Sequence, residues 1–146
     1  MKTREVIKCF KEKSAPIVSE TSTLSTVLET MYGFKHSGTV YVVNENKELT
    51  GTISLDMLVR QILSHTFEPR IHPRRLIAAV TYEVARDIML KNPISTTEGE
   101  DAEVVLKKMI DANVKEIAIL NTEGQVIGDL TLLDLLNALP KLWKHN

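Results

Sequence analysis

One pattern of apolar spacing is written twice in this chain. In the first copy a helical spacing at Leu24, Val27, Leu28 and Met31 leads to a strand-like run over 39–43 and a polar turn over 44–47. A second strand over 49–53 and a helix carrying Leu55, Leu58, Ile62 and Leu63 on one face complete it. The second copy keeps the order: Ala102, Val105, Leu106, Met109 and Ile110 at helical spacing, a strand over 117–120, a turn over 121–124, a strand over 126–130 and a Leu-rich helix over 132–139. Gly51 and Gly128 stand 77 residues apart, and so do Ser54 and Thr131. Order and offset kept together predict an α/β fold of two β-α-β-β-α repeats. A unit of about sixty residues buries little surface alone, so the copies are expected to pack as halves of one globule about a pseudo-twofold axis.

The bounds that follow are 1–64 for the first repeat, 65–83 for a connector and 84–146 for the second. In the connector Pro69 and Pro73 break the periodicity, while Arg70, Arg74 and Arg75 gather positive charge. From Pro73 the spacing of Leu76, Ile77, Val80 and Val84 predicts a helix, with proline tolerated in the first turn. Residues 141–146 read as a short amphipathic tail that lays Trp143 on the body.

Charge and cysteine usage narrow the function. The 18 Lys and Arg against 19 Asp and Glu remove a general electrostatic argument for nucleic acid or an anionic membrane. A lone Cys9, set among Val6 and Phe10, forms no internal disulfide and reads as a packing residue. Residues 1–13 are rich in charge and hold no leader-like apolar run, and no stretch approaches the roughly 20 apolar residues of a membrane span. A soluble, cytoplasmic protein is expected.

The segment richest in chemistry is Gly128-Asp129-Leu130-Thr131-Leu132-Leu133-Asp134, where a strand ends at a threonine and a helix opens before an aspartate. Two readings fit. In one, Thr131 caps the helix and the Asp134 carboxylate sits in its first turn, where the helix dipole favours negative charge. In the other, the helix start and the Thr131 hydroxyl face a phosphate, Asp134 accepts from two ribose hydroxyls, and Gly128 leaves room for the ligand's close approach. Both hold at once without conflict.

On these residues, together with Ala85-Arg86-Asp87-Ile88-Met89 and Pro93, the chain resembles the tandem CBS domains that pair as Bateman modules. The resemblance implies a regulatory module that senses an adenosine-type nucleotide, such as AMP, ADP or ATP, in the cleft between repeats. It implies Thr131 toward phosphate, Asp134 on ribose, and the main chain after Pro93, near Ile94, on the base. No cofactor is required. It also implies a homodimer formed through helices.

The first repeat reads Gly51-Thr52-Ile53-Ser54-Leu55-Asp56-Met57, with Met57 at the offset position of Asp134 and Asp56 one position early, about 100° around the helix. Ser54 still offers a hydroxyl, but a thioether does not accept two ribose hydroxyls. Asp87-Ile88-Met89 has no clear counterpart around Lys8, Cys9 and Phe10, although Pro16-Ile17-Val18 is similar to Pro93-Ile94-Ser95.

Elsewhere, His65 and His72 with Glu68 between them read as solvated connector residues rather than a metal set, and His36 as a loop histidine. Arg70, His72, Arg74 and Arg75 read first as a solvated face, with a ligand's distal phosphates as the sharper alternative. No nucleophile, base and orienting group converge, so no enzyme is expected. With no effector domain apparent, the output is expected to pass to another protein; a structural interaction module without nucleotide is the alternative.

Overall fold

The computed structural model describes residues 2–8, 14–34, 38–64 and 83–143. The chain folds into two compact units, one of residues 16–93 and one of residues 1–15 with 94–146. The connector residues Pro69, Arg70, His72, Pro73, Arg74 and Arg75, with His65, Glu68, Cys9 and His36, lie outside the described residues.

In the 16–93 unit, β1 (Ile17–Ser19), β2 (Thr39–Val43), β3 (Leu49–Ser54) and β4 (Leu90–Lys91) form one sheet in that order. The β1–β2 pair is parallel and the other two are antiparallel. Helix α2 (Leu24–Gly33) buries Leu24, Val27 and Met31, one helical face, and is capped by the Thr23 hydroxyl, which accepts from the Thr26 N–H at 3.3 Å. In α3 (Leu55–Ser64) the sequence pattern is corrected. Leu58 is buried, and Met57 and Ile62 pack against the core, whereas Leu55 and Leu63 are exposed.

In the other unit, β5 (Ser95–Thr97), β6 (Glu116–Leu120) and β7 (Val126–Thr131) form a three-stranded sheet. It is covered by α5 (Ala102–Asp111) and α6 (Leu132–Trp143), whose Val105, Met109, Leu135 and Ala138 join Ile117, Ile119 and Leu130 in the core. The α6 backbone stays helical through Pro140 to Trp143, beyond the 132–139 that the leucine spacing marks as helix. The packing expected of the Trp143 side chain lies outside the described residues.

The repeat is visible in detail. Both hairpins carry a register shift at the same place, after Val42 and after Ile119. Both turns are built by an asparagine: Asn44 Oδ1 accepts from the Asn46 and Glu48 N–H groups, and Asn121 Oδ1 from those of Glu123 and Gln125. The left-handed position that closes each turn is Gly124 in one copy and Lys47, at φ 64°, in the other.

Helices α1 (Thr3–Lys8) and α4 (Ala85–Ile88) are also a matched pair, so the counterpart of Asp87-Ile88-Met89 that is not clear around Lys8, Cys9 and Phe10 lies just ahead of them. The match is Thr3-Arg4-Glu5-Val6-Ile7, a few residues ahead of Lys8. Thr3 and Arg4 N–H groups donate to the Glu100 and Glu98 carbonyls at 2.9 and 3.0 Å. Ala85 and Arg86 make the same two bonds to Ser22 and Glu20, at 2.8 and 3.0 Å.

Glu5 and Asp87 each turn a carboxylate back to the N–H three residues earlier, at 3.0 and 3.4 Å. Each short helix thus satisfies its first-turn donors on a neighbouring loop. The chain crosses over in doing so: α1 belongs to the unit of β5–β7, where Val6 is fully buried, and α4 to the unit of β1–β3. Burying a valine contributes about 1.5–3 kcal/mol toward holding so short a helix in place. Val84, expected on a helix, is extended (φ −116°, ψ 161°) and bridges Thr23.

Candidate functional site

Thr131 ends β7 and Leu132 opens α6, so the Gly128–Asp134 segment runs from a sheet straight into a helix start. The Asp134 N–H donates to Thr131 Oγ1 at 2.9 Å, and the Thr131 N–H donates to Asp134 Oδ2 at 3.0 Å. This is a reciprocal capping box. Leu132 N–H donates to the Lys115 carbonyl at 2.9 Å. Two first-turn donors are therefore occupied by the chain itself. Yet a hydroxyl that accepts a bond keeps its own proton to donate, and a carboxylate has about four acceptor positions, so the cap leaves chemistry for a ligand. Both side chains are half-buried, and Asp134 lines an open depression together with the exposed Leu133, Leu136 and Asn137.

The sheet register sets where the other expected residues fall. Ser95 pairs with Ala118 and Ala118 with Asp129. One step earlier along the parallel β5–β6 pair lies Ile94, level with Ile117 and Leu130; the next level is Glu116 and Thr131. Ile94 and Thr131 therefore share one end of the sheet, separated by two strand spacings, about 10 Å. Ile94 also packs against the core, with Pro93 before it fixing the entry of the chain. Gly128 is buried in β7; the described atom nearest to a Cβ built there is Ile119 Cδ1, at 3.7 Å.

The first repeat builds half of this arrangement. Ser54 Oγ accepts from the Met57 N–H at 3.2 Å, and Leu55 N–H donates to the Gly38 carbonyl at 2.8 Å, matching Thr131 and Leu132. Met57 stands where Asp134 does and packs on the core; Asp56 is exposed one position earlier. The ladder also corrects one correspondence. Ile17 occupies the register of Ser95, so Pro16 rather than Ile17 matches Ile94. Five residues separate α2 from β2 against four between α5 and β6, which shifts the offset by one. The Pro16 carbonyl is taken by the Tyr41 N–H at 2.9 Å.

Sequence reading missed the cluster behind β5. Lys108 Nζ donates to the Ser95 carbonyl at 3.1 Å and pairs with Glu100 at 2.8 Å, and Thr96 Oγ1 donates to Glu100 Oε1 at 3.1 Å. A lysine and a glutamate eight residues apart carry no sequence signal of this; only the return of α5 along β5 brings them together. Among the described residues no group of three or more His, Cys, Asp or Glu is placed to hold a metal ion, and no helix is long and apolar enough to cross a membrane.

A family model described as the CBS domain matches residues 4–64 and 85–141. The structure of a CBS domain-containing protein from Thermotoga maritima superposes with a TM-score of 0.75 at 28% identity, covering 97% of this chain and 95% of that one. Protein MJ1225 of Methanocaldococcus jannaschii is 28% identical over 137 residues, 92% of this chain and 49% of its own length, and its structure superposes with a TM-score of 0.76. Protein PAE2072 of Pyrobaculum aerophilum, solved complexed with AMP, shares the fold at 17% identity and a TM-score of 0.72 over 97% of this chain and 99% of its own. The chain spans about half the length of the curated relatives it matches.

Proposed function

The chain belongs to the CBS-domain family as a tandem pair, and on that premise we propose that it is a regulatory, non-catalytic module that binds an adenosine-type nucleotide at the Gly128–Asp134 segment and signals to another protein. The observation that carries this reading is that Thr131 and Ile94 lie at one end of a single sheet, with Asp134 bonded to Thr131 from the first turn of α6. The Thr131 hydroxyl donates to phosphate, the Asp134 carboxylate accepts from ribose, and the main chain at Ile94, entered through Pro93, meets the base across a span of nucleoside size. Gly128 lies three residues before Thr131 in the same strand. AMP in PAE2072, a protein of this fold, supports the ligand class. Ser54 without a carboxylate partner makes the first repeat the weaker half, so one tight site per chain is expected. Binding favours one conformation of the module, which the partner reads as a population shift. The exposed apolar positions of α3 and α6 supply the contact surface of a homodimer.

Calorimetry with AMP, ADP and ATP tests this. Asp134→Asn is expected to weaken binding by roughly 1.5–3 kcal/mol, as for a charged hydrogen-bond partner. Its melting temperature without ligand should barely move, because the amide oxygen still accepts from the Thr131 N–H. If Asp56→Asn abolishes binding and Asp134→Asn does not, the site lies in the first repeat. The second reading is an interaction module without nucleotide, favoured by the capping box that already uses both side chains. Absence of heat and of thermal stabilisation with every adenosine nucleotide would establish it.

A further inference from the structure

Strand β5 is three residues long and lies at the edge of its sheet, so its ladder alone holds it weakly. Lys108 reaches back from α5 to hold it: its ammonium group donates to the Ser95 carbonyl and is itself fixed by Glu100. Glu100 is fixed in turn, its carboxylate accepting from Thr96 Oγ1 and its carbonyl from the N–H and hydroxyl of Thr3. In the first repeat the equivalent positions hold Thr30 and Ser22. Thr30 Oγ1 donates within its own helix, to the Thr26 carbonyl at 2.8 Å, and Ser22 Oγ accepts from the Ser19 N–H at 3.0 Å. The clamp belongs to the repeat that carries Asp134.

We propose that Lys108 is a positioning residue for base recognition: through the Ser95 carbonyl and Glu100 it fixes the Ile94–Ser95 main chain, so that its donors and acceptors meet the adenine edge in a set geometry. This rests on the reading that the main chain at Ile94 meets the base. Discrimination between adenine and hypoxanthine, which carries a carbonyl where adenine carries an amino group, requires donors and acceptors that do not rearrange. A charge-assisted bond to one carbonyl, held by the ion pair between Lys108 and Glu100, supplies that rigidity.

The test compares wild type, Lys108→Met and Lys108→Arg by titration with AMP and IMP, and by amide hydrogen exchange of β5 without nucleotide. Methionine keeps the apolar stem and removes the donors; arginine keeps donors. Lys108→Met is expected to speed β5 exchange and to weaken AMP roughly tenfold, the effect of one lost charge-assisted bond. IMP should weaken less, so the preference for AMP falls, and Lys108→Arg should restore most of it. Unchanged AMP affinity and preference in Lys108→Met, or equal losses for both nucleotides, overturn the positioning role while leaving the nucleotide reading intact. A wild type that binds neither nucleotide overturns that reading and this role with it.

Discussion

Gly51 and Gly128 occupy the same position in the two repeats, and the structure predicts different outcomes when each becomes alanine. A Cβ at Gly51 would press on the Met89 side chain, with Cγ at 2.7 Å, and would lie 3.0 Å from the Leu90 carbonyl oxygen. The methionine is adaptable, but it packs on the core, and the carbonyl belongs to β4, which pairs with β3 through Gly51–Lys91 and Thr52–Leu90. Overpacking of this kind costs about 1–3 kcal/mol, against which the stiffer unfolded chain of alanine returns about 0.4–1 kcal/mol. Gly51→Ala is therefore expected to lose about 1–2 kcal/mol net, a factor of roughly 5–30 in the folded-to-unfolded ratio. At Gly128 the described neighbour at 3.7 Å is in ordinary contact, so Gly128→Ala should change stability little. Urea unfolding of both variants, with Met89→Ala and the Gly51→Ala/Met89→Ala double variant, checks the argument. The double variant should recover part of the loss, a coupling of about 1 kcal/mol. Wild-type stability in Gly51→Ala, or strictly additive effects with Met89→Ala, would refute the steric account.

Lys47 holds a left-handed conformation that its equivalent, Gly124, adopts without a side-chain clash, so Lys47→Gly should stabilise the protein by about 0.5–1 kcal/mol in the same unfolding assay; a loss would count against it. Asp101 accepts from Lys2 Nζ at 3.0 Å, and this bond and the Lys2 charge hold its carboxyl below the ordinary 3.8. Because the folded value is the lower one, the contribution is present above the ordinary range and lost as pH falls through the folded value. An NMR titration of Asp101 should give a midpoint below 3.8 that Lys2→Met raises; a wild-type midpoint at or above 3.8 refutes the pairing. On α6, Leu133 is 74% and Leu136 54% exposed, and α3 exposes Leu55, Val59 and Leu63. Light scattering at micromolar concentration should report a dimer that Leu133→Asp weakens, and a strictly monomeric wild type removes it.

The two β-α-β-β-α repeats were legible in the sequence because their signals are local: helical spacing at Leu24, Val27 and Met31, β-branched runs such as 39–43, asparagine turns, and matched glycines 77 residues apart. The Thr131 and Asp134 pair was legible for the same reason, since a capping box spans three residues. What the sequence left open depends on contacts between distant segments. Thr3–Lys8 had the composition of its partner Ala85–Ile88, but only the carbonyls of Glu98 and Glu100, more than ninety residues away, identify its role. The partial exposure of α3 and α6 was hidden because a leucine-rich helix does not declare which leucines the core takes. The Lys108 clamp was invisible because charged residues at helix positions are the common case, and only packing brings Nζ to the Ser95 carbonyl. Local periodicity sets which elements form; which orphan donors, carbonyls and apolar faces they satisfy in one another is decided by tertiary contact.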